Sequence, residues 1–187
     1  MQLRLAGGIL GVVLGLAGCG PVERPTADGC RMSRTAPLTL TGPEGAERID
    51  ATADGPACGA AVVTVAVRGD DGRVLFTSAY PYLDLVGDRR AGVAEVPAED
   101  VGALLDRLVA VTPDTADNAP VWIEGAPHPV LDGLVVRTPL DRPAYLALRT
   151  SAAPRLCLPA GAEAVQCLVY DLTQNRLIEQ MRFGDER

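Results

Sequence analysis

Alternation of apolar and polar residues with a period of two marks several strands along the chain. The clearest pair is residues 61–68 (AVVTVAVR) and 73–78 (RVLFTS), joined by Gly69-Asp70-Asp71-Gly72. Val63, Val65 and Val67 fall on one face, and the Gly and Asp residues between the runs supply the backbone conformations that a tight turn demands. Shorter alternating segments at residues 38–41 and 47–52 flank Gly42-Pro43-Glu44-Gly45 and predict a first hairpin. Toward the C-terminus, residues 164–171 and 176–183 form a further pair around Leu172-Thr173-Gln174-Asn175. Glu179 interrupts the apolar face of the last run, which marks an edge strand with one wet side.

Residues 97–110 switch to a helical period, with Val101, Leu104, Leu105 and Leu108 at i, i+3, i+4 and i+7. Pro97 suits a first-turn position, Glu99 and Asp100 sit near the positive end of the helix dipole, and Arg107 sits near its negative end. A second, shorter helix is predicted from Asp141 as N-cap through Arg149, with Tyr145 and Leu148 facing inward. Strands joined by short turns, with helices inserted among them, define an α+β fold: one antiparallel β-sheet with one or two helices packed on one face.

The 187 residues suffice for one ordinary domain. Aromatic residues are only 4% of the chain, so its core rests on Val, Leu and Ala, which individually bury modest area and benefit from covalent staples. The net charge is −7, and all 17 basic residues are Arg, scattered apart from Arg89 and Arg90. Such a chain repels a phosphate backbone, which argues against nucleic-acid binding. The same charge opposes flat adsorption on anionic lipid, so membrane attachment is expected to be covalent.

Residues 1–20 read MQLRLAGGILGVVLGLAGCG: an early positive charge at Arg4, an apolar stretch, then small residues. The stretch is shorter than the roughly 20 apolar residues of a membrane-spanning helix and reads as a signal peptide. Its end, Leu16-Ala17-Gly18-Cys19, resembles the lipobox of bacterial lipoproteins, in which a dedicated peptidase cuts before the Cys and diacylglycerol is attached to its thiol. The resemblance is confined to this segment. It implies a signal peptide at residues 1–18, lipidation at Cys19, a tether over residues 19–29 and a single domain over residues 30–187. The several acyl chains that such proteins carry exceed what stable anchoring needs. Gly20 in place of Asp after the Cys implies, by the family's sorting rule, the outer membrane; the domain is expected to face the periplasm, with the outer surface as the alternative.

Setting Cys19 aside leaves Cys30, Cys58, Cys157 and Cys167, an even number in an exported chain, as expected for two disulfides. Three connectivities are open. Cys30 with Cys58 and Cys157 with Cys167 is favoured, because both bridges then close local loops. No pair has the CxxC spacing typical of zinc sites or redox motifs, and neither a metal nor a cofactor is expected.

His128, the only histidine, lies between prolines in Ala126-Pro127-His128-Pro129. The serines are Ser33, Ser78 and Ser151, none in a GxSxG turn, so no catalytic triad is legible and no catalytic residue is expected. Residues 113–129 (PDTADNAPVWIEGAPHP) contain the sole Trp122 followed by Ile123. A long loop with an exposed Trp is a candidate partner contact, and Tyr80-Pro81-Tyr82 is a candidate second aromatic edge. The opposing expectation is that Trp122 plugs an aromatic-poor core. Together these features predict a non-catalytic binding or accessory module of the cell envelope, held near an unknown envelope protein or small ligand. The alternatives are an inhibitor of an envelope lysozyme or protease acting through residues 126–129, and a cell-wall-acting enzyme with a carboxylate pair in a cleft.

Overall fold

The computed structural model describes residues 29–42, 45–87 and 96–184; the lipobox-like segment with Cys19, and Arg89 and Arg90, lie outside the described residues. Four strands, β1 (Cys30–Leu38), β2 (Glu47–Gly55), β3 (Val62–Arg68) and β4 (Val74–Pro81), form an antiparallel meander in chain order. The best-marked hairpin is realised in β3 and β4, where Gly69 donates to the Arg73 carbonyl at 2.9 Å and Gly72 takes a φ of 80°. Val63, Val65 and Val67 are all buried. The first strand of the first pair is a correction: β1 ends at Leu38, where residues 38–41 were expected to begin. Its inward positions include half-buried Met32 and Ala36, and Arg34 pairs with Asp106 at 2.6 Å, so its apolar alternation is faint.

A short helix, α1 (Tyr82–Val86), follows β4 directly and stops at Gly87 in the left-handed conformation. The amphipathic stripe forms α2 (Ala98–Val109), with Val101, Leu104, Leu105 and Leu108 buried against β1 and β2. Pro97 is the N-cap residue in extended conformation, one position earlier than the first-turn role expected of it.

Beyond α2 come β5 (Asp114–Thr115), the two-residue strands β6 (Val130–Leu131) and β7 (Leu134–Val135), α3 (Arg142–Thr150), β8 (Pro154–Pro159), β9 (Val165–Asp171) and β10 (Arg176–Phe183). The α+β class with antiparallel strands stands, but in place of one sheet there are two four-stranded sheets, the second ordered β10-β9-β8-β5, and a separate two-stranded pair, β6-β7. Asp141 caps α3 as expected, its Oδ1 accepting from the Ala144 N–H at 2.9 Å. Buried Arg155 holds β5 to β8 through a two-pronged ion pair with Asp114, at 2.8 and 2.5 Å.

The second sheet is covered on both faces. Leu156, Leu158 and Leu168 point into the main core beside Ile49, Val63 and Leu105, whereas Cys167 and Val169 point the other way into a second core with Trp122, Val136 and Tyr145. Two covered faces explain why β9 reads as a nearly unbroken apolar run rather than an alternation. In β10 the pairing register shifts between Glu179 and Met181. An extra residue at this point reverses which face later side chains take, so Leu177 joins the main core and Met181 the second. β10 is the edge of the sheet, as Glu179 suggested, and Glu179 pairs with Arg182 at 2.8 Å.

Both disulfides follow the favoured connectivity. Cys30–Cys58 fastens the start of β1 to a single 3-10 turn at Cys58–Ala60, and Cys157–Cys167 joins directly opposed positions of β8 and β9. The two sheets are linked by a hydrogen bond from Gln166 Nε2 on β9 to the Tyr80 hydroxyl on β4, at 2.5 Å.

Candidate functional site

The segment between β5 and α3 folds over the outer face of the second sheet, and its anchors are polar as well as apolar. Tyr145 on α3 donates its hydroxyl to the Pro120 carbonyl at 2.8 Å, and Arg149, one turn later, donates to the carbonyls of Ala119 and Asp117 at 2.9 and 3.0 Å. The Trp122 indole stands edge-on to the Tyr145 ring with centroids 5.5 Å apart, and its Nε1 donates to the Ala126 carbonyl at 2.8 Å. A buried Trp needs a partner for its N–H, and Ala126 provides one four residues on. Burial pushes the Tyr145 phenol above its ordinary value. Exposed Asp117 is held below the usual carboxylate value chiefly by the Thr115 hydroxyl.

These anchors correct part of the expected contact surface. Trp122 is 8% exposed and belongs to the second core, so it is no solvent-facing anchor. Tyr82 is buried in the main core, and half-buried Tyr80 spends its hydroxyl on Gln166, so Tyr80-Pro81-Tyr82 does not present an aromatic edge. Ile123, in contrast, is 64% exposed, with Val121 likewise exposed on the other side of the buried Trp122. His128 is exposed, 6.5 Å from the Trp122 ring centroid.

The larger apolar surface lies just beyond residues 113–129, on a short hairpin. In β6 and β7, Val130 faces Val135 and Leu131 faces Leu134 across a two-residue turn, Asp132-Gly133, whose φ angles are 50° and 85°. Two successive positive φ angles suit a tight hairpin, and an Asp-Gly pair flanked by Val-Leu and Leu-Val was the signal available for it. Only Leu131 turns toward the second core; Val130, Leu134 and Val135 are 43%, 50% and 53% exposed. Buried Val136 and a pair of backbone hydrogen bonds between Arg137 and Arg182, at 2.7 and 2.8 Å, fix the hairpin's base to the edge of β10.

Beside this hairpin is a groove of about 540 Å³ lined by Leu134, Val135, Arg137, Glu163 and Gly184. Gly184, at a φ of 94°, brings the end of β10 so close to the β8–β9 turn that a β-carbon there would lie 1.6 Å from the Glu163 carbonyl oxygen. The groove therefore depends on a residue without a side chain at that point. Its lining, two aliphatic side chains with one Arg and one Glu, suits an apolar occupant with a polar margin. Among the described residues, no group of three or more His, Cys, Asp or Glu side chains is gathered as a metal would require, and no helix is long and apolar enough to cross a membrane. Comparisons with protein-family models, curated proteins and solved structures give no match to this chain.

Proposed function

We infer that the protein is a bacterial lipoprotein, anchored through Cys19, whose disulfide-stapled domain acts as a non-catalytic binding or accessory module in the cell envelope, on the outer membrane facing the periplasm. The observation that carries this reading is the cysteine pairing. Of five cysteines, four are consumed in Cys30–Cys58 and Cys157–Cys167, which leaves Cys19 with no partner in the chain. A lone thiol is out of place in an exported protein, but one ending a lipobox-like segment is the attachment point for lipid. Two disulfides also suit an oxidising compartment. Anchoring raises the local concentration of even a weakly binding surface near its targets, and Ile123 with the β6–β7 hairpin provides exposed apolar area. Crosslinking in living cells, with tagged protein recovered from the membrane fraction, tests the reading. A dominant envelope partner, lost when Cys19→Ala releases the chain from the membrane, is the expected result. Unchanged membrane recovery of Cys19→Ala contradicts the anchor.

A second reading, an inhibitor of an envelope hydrolase, is favoured by one observation. The Trp122 indole pins the Ala126 carbonyl, so exposed Pro127 and His128 leave a fixed base, as an inhibitory loop requires. Inhibition of lysozyme or protease turnover that disappears in His128→Ala is the outcome that selects it.

A further inference from the structure

The described end of the chain nearest Cys19 is the start of β1, and a sequence of contacts leads from there to the exposed hairpin. Cys30 is bonded to Cys58, whose 3-10 turn leads to Ala61, and the Ala61 carbonyl accepts from the Tyr82 N–H at 2.9 Å. Tyr82 opens α1, where the Asp84 carbonyl accepts from the Ala162 N–H at 2.9 Å in the β8–β9 turn. That turn carries Glu163, which lines the groove with Gly184, Leu134 and Val135. The beginning of β1, the end of β4, α1, the β8–β9 turn and the groove therefore share one end of the molecule. The opposite end is formed by the β3–β4 and β9–β10 turns, joined where Arg73 donates to the Asn175 carbonyl at 2.8 Å.

Resting on the anchor at Cys19 inferred above, we propose that the β6–β7 hairpin is a second membrane contact, with Val130, Leu134 and Val135 entering the acyl region of the bilayer that holds the lipidated N-terminus. Two lengths support this. The chain from Cys19 to Cys30 reaches at most about 40 Å even when fully extended. Crossing the first sheet from β1 to β4 takes three strand spacings, roughly 14 Å. The anchor enters the domain at this end and limits its distance from the lipid to about 40 Å, within which the hairpin can reach the bilayer, while aliphatic side chains stand out on both faces of a hairpin too small to bury them itself. With a net charge of −7 over the whole sequence, the protein is not drawn as a body to anionic lipid, so apolar insertion is the main favourable term.

Full-length lipidated protein, reconstituted into phosphatidylcholine vesicles with brominated acyl chains, tests the proposal, because bromine quenches only indoles within or beside the acyl layer. The variants are Leu134→Trp and, at the opposite end, Leu172→Trp, with the unchanged protein reporting the contribution of Trp122. The added fluorescence of Leu134→Trp should be largely lost in brominated vesicles and retained in ordinary ones, and that of Leu172→Trp should be retained in both. Flotation with the vesicles reports the anchor separately: protein that fails to float overturns the Cys19 reading. Protein that floats with Leu134→Trp no more quenched than Leu172→Trp overturns the hairpin contact alone. A blue shift of Leu134→Trp that depends on protein density, without quenching, assigns the hairpin to contact between copies and likewise overturns the proposal.

Discussion

The two cores of this molecule lie on opposite faces of one sheet and are built by different means. The main core, between β1–β4, α2 and the inner face of β8–β10, is held chiefly by aliphatic side chains whose positions follow strict periods. The second core, on the outer face, is closed by α3 and an irregular segment, and depends on Trp122, Tyr145 and their hydrogen bonds to the carbonyls of Ala126 and Pro120. Regular elements need only bury the correct face. A loop brought over a sheet must also satisfy its own backbone, and here aromatic and Arg side chains supply the donors. The aromatic-poor chain has its one Trp in this layer, where the side chain fills space and donates a hydrogen bond at once.

Removing a large side chain from each core should have the largest effects. Leu105→Ala should cost about 2–5 kcal/mol and Trp122→Ala about 3–5 kcal/mol. The pattern of loss should differ. Leu105→Ala should lower protection from hydrogen exchange throughout β1–β4 and α2. Trp122→Ala should expose residues 116–136 and α3 first, leaving β2 and β3 protected. Equal loss everywhere in Trp122→Ala would show that the two cores form one cooperative unit.

The disulfides give the next effect. Cys30–Cys58 spans 28 residues and Cys157–Cys167 spans 10. On chain entropy alone, replacing the first pair by Ala should cost about 3.6 kcal/mol and the second about 2.7 kcal/mol. Cys167 is fully buried, so denaturant titration showing the second pair costing the same or more would mean that packing in the second core outweighs loop entropy.

Tyr145→Phe removes the hydroxyl bonded to the Pro120 carbonyl and should cost about 0.5–1.5 kcal/mol near neutral pH. It should also alter the alkaline limb of stability. The folded state raises this phenol above its ordinary 10.0, so its contribution is complete below pH 10 and declines as pH rises through the folded value. Thermal melts of the two proteins should therefore converge at high pH. A constant gap up to strong alkali would contradict the assignment.

The regular half of this architecture was open to inspection in the sequence. Val63, Val65 and Val67, the Leu104-Leu105-Leu108 stripe and the Asp141 cap each follow from local chemistry that tertiary context did not override. β1 was missed over most of its length because Arg34 occupies an inward position where a strand pattern expects an apolar residue, and its guanidinium reaches Asp106 instead. The division into two sheets was hidden because β9 is covered on both faces and the register shift in β10 reverses the side on which Met181 lies. Of the expected contact residues, Ile123 and His128 remain on the surface, while Trp122 and Tyr82 are buried; an apolar ring in a polar loop says nothing by itself about which side it faces. The hairpin of Val130, Leu134 and Val135 was overlooked although Asp132-Gly133 announced it, because two-residue strands give no period to read.

A comparably small effect tests the edge of the second core. Asp141→Ala removes the cap of α3 and should cost about 1 kcal/mol, in the range of Tyr145→Phe, visible as a lowered midpoint in denaturant with an unchanged slope.

Intact-mass measurement of the protein extracted from membranes decides whether Cys19 carries the lipid anchor. The expected species begins at Cys19, carries acyl chains on that residue, and loses them together with the N-terminal fragment on digestion. It also gains the mass of four hydrogens on reduction, two for each disulfide. A chain that retains residues 1–18, or one cut elsewhere with Cys19 unmodified, would contradict the lipid anchor and with it the function built upon it.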